Sequence, residues 1–130
     1  MNPYASRRYF ETSVQTANPG AVLLALYDGA IRFCREAVEG IRAGDVARKG
    51  ERIARVMAIV AEFSATLDQA KAPELGARLA QLYDYMITRL EHANQAMDAR
   101  AVEEVAGLLE TLREGWRGAV PQASAAGLGR

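Results

Sequence analysis

Apolar residues recur at spacings of three and four in four separate segments of the chain, and no stretch alternates apolar and polar residues over a useful length. The first segment carries Leu24, Tyr27, Ile31, Cys34, Val38 and Ile41. The second carries Val46, Ile53, Val56, Val60, Phe63 and Leu67. The third has Leu75, Leu79, Leu82, Met86, Leu90, Ala93 and Met97, and the fourth Val102, Val105, Leu109, Leu112 and Trp116. Each line predicts one amphipathic helix. Punctuation agrees: Asn18 is an N-cap followed by Pro19, Gly44 stops the first helix and Asp45 caps the second. Gln69 to Pro73 breaks the pattern, Pro73 opens the third helix, and Asp98 caps the fourth.

Connections this short force consecutive helices to run antiparallel. The expected fold is therefore all-α, an antiparallel up-down-up-down four-helix bundle over residues 18–117. An irregular N-terminal arm, residues 1–17, precedes it. Residues 118–130, with Pro121, Gly127 and Gly129 among small side chains, read as a disordered tail. A short internal echo, Leu26-Tyr27-Asp28 and Leu82-Tyr83-Asp84, is what either chance or an ancient hairpin duplication would leave.

Composition narrows the class of function. The chain has 130 residues, enough for one domain with a real core. Sixteen basic residues balance sixteen acidic ones, so no net field draws it to nucleic acid or anionic lipid. No apolar run approaches the roughly 20 residues that span a bilayer, which argues against membrane insertion. No apolar stretch follows Arg7-Arg8 to form a signal peptide, and the single cysteine, Cys34, has no partner for an internal disulfide. The expected location is the cytosol.

Catalytic and metal-binding patterns are missing. The one histidine, His92, has Arg89 three positions before it, so a Glu-x-x-His di-metal motif cannot be built. Cys34 lies on the apolar line of its helix and reads as a small core residue. Gly40, Gly44 and Gly50 form no phosphate loop. Asp28 and Asp84 have no base or electrophile beside them to make a catalytic pair. The expectation is a protein that acts by binding, with no cofactor.

The first helix carries more apolar surface than a bundle needs. Beside its main line runs a second, Leu23, Leu26, Ala30, Phe33 and Ala37, so that about half the circumference is apolar. Ile59, Tyr85, Ile87 and Leu108 add flank positions on the other helices. Either the first helix is simply the most buried, or the surplus forms a helix-accepting groove. The groove reading makes Leu23, Leu26, Ala30, Phe33, Ile59 and Leu108 the candidate partner-binding residues. A second copy of the chain is the competing occupant, which would make a homodimer or a self-associating structural protein. The arm residues Tyr4, Tyr9, Phe10 and Val14 are too apolar for a plain leader. Such an arm either lies over the groove until a partner displaces it or caps one end of the bundle.

Ordered short motifs carry a family likeness. Thr16-Ala17-Asn18-Pro19 and Leu26-Tyr27-Asp28-Gly29-Ala30-Ile31-Arg32-Phe33 resemble the opening helix of the FliS flagellin chaperones. Thr66-Leu67-Asp68, Leu82-Tyr83-Asp84-Tyr85-Met86, Arg89-Leu90, Ala93-Asn94 and the segment from Val102 to Trp116 resemble the same family in the same order. The likeness spans roughly residues 4–117. It implies a cytoplasmic bundle that binds the C-terminal segment of flagellin, prevents premature polymerisation and assists delivery to the flagellar type III export apparatus. Export-gate and flagellar regulatory proteins are further partners it suggests. Tyr4 and Tyr9 match the family's arm tyrosines, which the resemblance places on the binding surface. Lys71-Ala72-Pro73 departs from the family's usual Gly-Gly turn.

Overall fold

Four helices follow one another with short turns: α1 (Pro19–Arg42), α2 (Val46–Thr66), α3 (Pro73–Ala96) and α4 (Ala99–Ala126). The computed structural model describes residues 18–126, with side chains described as far as Gly118. No strand occurs among the described residues. α1 packs extensively on α2 and on α4, while α3 touches α2 and α4 more sparsely. The helices thus form an antiparallel ring in chain order, an up-down-up-down bundle.

The caps work as their residue types require. The Asn18 side chain accepts from the Gly20 amide at 2.7 Å, with Pro19 in the first turn. Gly44 adopts a positive φ of 68° just past α1, and Asp45 then caps α2 by accepting from the Arg48 amide at 3.1 Å. Asp98 accepts from the amides of Arg100 and Ala101 at 3.0 and 3.4 Å. Gly40 matters for a different reason. A Cβ there would sit 3.0 Å from the Lys49 backbone nitrogen, so its absence lets α2 start close against α1.

The core holds Tyr27, Cys34, Ile53, Val56, Met86, Leu90, Val105 and Leu109, all fully buried. Phe63 stacks on Tyr27 with ring centroids 4.4 Å apart, and Tyr83 lies 5.9 Å from Phe63. The Trp116 indole N–H donates to the Tyr27 hydroxyl at 3.1 Å, which in turn meets the Tyr83 hydroxyl at 3.4 Å. These contacts tie all four helices together at one level. The two tyrosines of the internal echo therefore meet through their hydroxyls in the core.

Three expectations are corrected. Val46 is 62% exposed and Leu75 is 52% exposed, because each sits in the first turn of its helix, beyond the overlap of the bundle. Ala30 and Ala37 join the core, since α1 packs against both α2 and α4 and its buried arc widens to include them. Lastly, α4 continues through Gly118 to Ala126 where a tail was expected from residue 118. Ala119, Ala123, Ala125 and Ala126 are the strongest helix formers and sustain the helix past Pro121. The arm, residues 1–17, and the tail residues 127–130 lie outside the described residues.

Candidate partner-binding surface

The four seams between neighbouring helices differ in chemistry. The α1–α4 seam is laced with ion pairs: Arg35–Glu110 at 2.8 Å, Arg42–Glu103 at 3.1 Å, and Arg113 with Asp28. Two clefts on that side, of about 440 and 600 Å3, are bordered by these same charges. Arg52–Glu36 at 2.8 Å and Arg48–Glu39 at 3.3 Å join α2 to α1. Arg89–Glu104 at 2.8 Å joins α3 to α4, reinforced by the Tyr85 hydroxyl donating to Glu104 at 2.6 Å. Among the described residues no ion pair joins α2 to α3. At one end of that seam the buried Lys49 ammonium donates to the carbonyl and side-chain oxygens of Asn94, at 2.8 and 2.9 Å.

Beyond Lys49 the α2–α3 seam opens. A groove of about 330 Å3 is lined by Val60, Ala61, Ser64 and Ala65 from α2 and by Tyr83, Asp84 and Ile87 from α3. The outer face of α2 carries Ala54, Ala58, Ala61 and Ala65, all exposed. Side chains this short leave the backbone accessible to close approach by another helix. Tyr83 also borders a second, more apolar cavity of about 290 Å3 at the end of the bundle. There Leu23, Phe63, Leu67, Leu75, Leu79 and Trp116 surround an opening beside the start of α1. Groove and end cavity share Tyr83 in their walls.

The expected binding residues divide among several places. Leu23 lines the end cavity. Leu26, Phe33 and Ile59 are half-buried on the α1–α2 flank, where the Ile59 Cδ1 lies 4.0 Å from the position of a Cβ on Gly29. The guanidinium groups of Arg32 and Arg55 cover the Phe33 ring at 5.1 and 5.5 Å. Ala30 is fully buried and presents nothing to a partner. Leu108 sits one turn beyond Glu104, on the side of α4 that meets α3, and so does not join the α1–α2 flank. Tyr4 and Tyr9 lie outside the described residues. Ala61, Ser64, Ala65 and Asp84, which line the α2–α3 groove, were not among the expected binding residues. The available signal was the uncharged Ala54-Ala58-Ala61-Ala65 face, unusual for a solvent-facing stripe.

The chain matches the family model described as "Flagellar protein FliS" over residues 1–123. It belongs to the FliS family. It is 41% identical over 115 residues to the flagellar secretion chaperone FliS of Salmonella typhimurium, covering 88% of this chain and 85% of that protein. With the flagellar secretion chaperone FliS of Bacillus subtilis it shares 37% identity over 120 residues, 92% of this chain and 87% of the other. A crystal structure of a bacterial flagellar chaperone superposes with a TM-score of 0.75 at 21% identity, covering 92% of this chain and 97% of that one, which shows the shared fold.

The reactive groups of this FliS-family chain are turned inward or engaged. Burial pushes the Cys34 thiol up to about 12, which keeps it protonated and unreactive. Burial, together with the Tyr27 hydroxyl, also pushes the Tyr83 hydroxyl well above its ordinary value. The His92 ring meets the Asp98 carboxylate at 3.2 Å. Among the described residues no group of three or more His, Cys, Asp or Glu converges on a metal position. None of these helices is long and apolar enough to cross a membrane.

Proposed function

We propose that this chain is a cytoplasmic flagellin chaperone that receives the C-terminal helical segment of flagellin on the α2–α3 groove and the adjoining end cavity. It acts by binding, without catalysis. Flagellin's terminal segments form amphipathic helices that pack in the filament, so the free monomer carries a polymerisation hazard. Covering those apolar faces removes the hazard until the subunit reaches the flagellar type III export apparatus. A segment that is disordered when free and folds on the chaperone gives a large interface at moderate affinity, suited to later release.

The observation that carries this reading is the α2–α3 seam, uncovered and apolar, in a chain that matches the FliS family over nearly its whole length. The other three seams are satisfied by their own ion pairs. Leu23, at the mouth of the end cavity, belongs to the proposed surface, and Leu26, Phe33 and Ile59 form a separate flank. Calorimetric titration with the flagellin C-terminal segment tests the proposal. The expected result is a one-to-one complex, and retarded sedimentation of polymerising flagellin when the chain is added. A folded chain that ignores the segment and sediments as a dimer would instead support the self-associating reading.

A further inference from the structure

The internal echo places two aspartates in matching positions with unequal surroundings. Tyr27 and Tyr83 meet through their hydroxyls, so Asp28 and Asp84, each the next residue, are counterparts in space as well as in sequence. Asp28 faces α4 and is held there by Arg113. Asp84 lines the α2–α3 groove, and what α2 offers across from it is Ala61, Ser64 and Ala65, without a base. Among the described residues no hydrogen bond or ion pair engages its carboxylate. Its backbone carbonyl accepts from the Thr88 hydroxyl at 3.1 Å.

We propose that Asp84 is the charge-reading residue of the groove: it pairs with a lysine or arginine flanking the apolar face of the bound helix, in the role that Arg113 fills for Asp28. The inference rests on the flagellin reading above and adds the partner's chemistry to it. The groove itself is apolar, with small residues on the α2 wall, so it sets the depth and angle of a docked helix but offers little to fix its register. A single carboxylate at its edge supplies that register, because only one placement of the helix brings its base within reach. The bound helix would shield the pair from water, which strengthens it relative to an exposed ion pair. A partner with an acidic residue at that position is rejected by repulsion, which gives selectivity as well as affinity.

Fluorescence anisotropy tests this with the full chain and a labelled C-terminal flagellin segment as probe. Asp84→Asn removes the charge at an exposed position without a side-chain partner among the described residues, so the fold is retained, as circular dichroism will confirm. Affinity should fall about tenfold at low ionic strength, and the salt dependence of binding should flatten. Replacing the partner base in the probe with glutamine should have the same effect, and the doubly changed pair should show little further loss. Asp84→Lys should recover binding to a probe carrying glutamate at that position. If wild type binds the probe, Ala65→Trp blocks it and Asp84→Asn leaves affinity and salt dependence unchanged, the charge-reading role is wrong while the groove stands. If wild type fails to bind at all, the flagellin reading itself falls.

Discussion

Truncating Phe63 to alanine should destabilise the bundle by about 3 kcal/mol. The Phe63 ring pairs with both echo tyrosines, stacked on Tyr27 at 4.4 Å and tilted against Tyr83 at 5.9 Å. Phe→Ala in a closed core costs about 3–5 kcal/mol, of which an aromatic pair supplies about 0.5–1.5 kcal/mol. Phe63 also borders the end cavity of about 290 Å3, so the space it vacates opens toward solvent rather than staying an enclosed void. That relief places the expected loss at the low end of the range. For a chain of this size about 3 kcal/mol corresponds to roughly 10 °C in Tm. Urea unfolding followed by circular dichroism measures it, with an unchanged m-value showing that the two states are otherwise alike. Phe63→Leu, which keeps most of the volume, should lose about 1.5 kcal/mol or less. A loss below about 1 kcal/mol for the alanine variant would refute the aromatic junction as the centre of the core.

Four further outcomes follow from other parts of the molecule. Cys34, buried with its thiol pushed up to about 12, should react with a thiol-specific chromogen only in denaturant, and rapid labelling of the native chain would contradict its placement. The Glu104 carboxyl is held below its ordinary value of 4.5, first by the Tyr85 hydroxyl and also by Arg89. Its contribution to stability is therefore present at neutral pH and lost as pH falls from about 4.5 through its folded value. Glu104→Gln should narrow the gap between urea midpoints at pH 7 and pH 3, and an unchanged gap would count against that link. Ala65→Trp, filling the groove from an exposed position, should weaken flagellin binding at least about tenfold. Phe33→Glu places a carboxylate between Arg32 and Arg55 and should keep both fold and binding, so the reverse pattern would move the site to the α1–α2 flank.

The helix starts were legible because capping is local chemistry. Asn18-Pro19, Gly44-Asp45, Pro73 and Asp98 each act within a few residues of themselves, and each helix begins or ends where they stand. Burial along a helix was less legible, since it depends on neighbours that periodicity does not name. Tyr27, Ile31, Cys34 and Val38 hold the centre of the α1 stripe, yet Ala30 and Ala37 were indistinguishable from a surplus face until α2 and α4 were both seen against it. The α4 terminus was misjudged because Gly118 and Pro121 were weighed above the alanines around them.

The site shows a sharper limit. An apolar excess on one helix was the natural sequence signal for a groove, but the bundle spends most of that excess inside itself. What it leaves open is a seam where large side chains are scarce. Ala61, Ser64 and Ala65 carry no hydrophobic signal strong enough to attract notice, and Asp84 looks like any solvent-facing carboxylate. The proposed role rests on what is missing opposite them: in the groove lining α2 presents no base to Asp84 and no long side chain. The α1–α4 seam differs in chemistry, because there the equivalent aspartate has Arg113 and the clefts are bordered by the paired charges of Arg35–Glu110 and Arg42–Glu103. The two copies of the repeated motif thus meet in the core through Tyr27 and Tyr83 but differ at the surface, where Asp28 is paired with Arg113 and Asp84 faces the small side chains of α2.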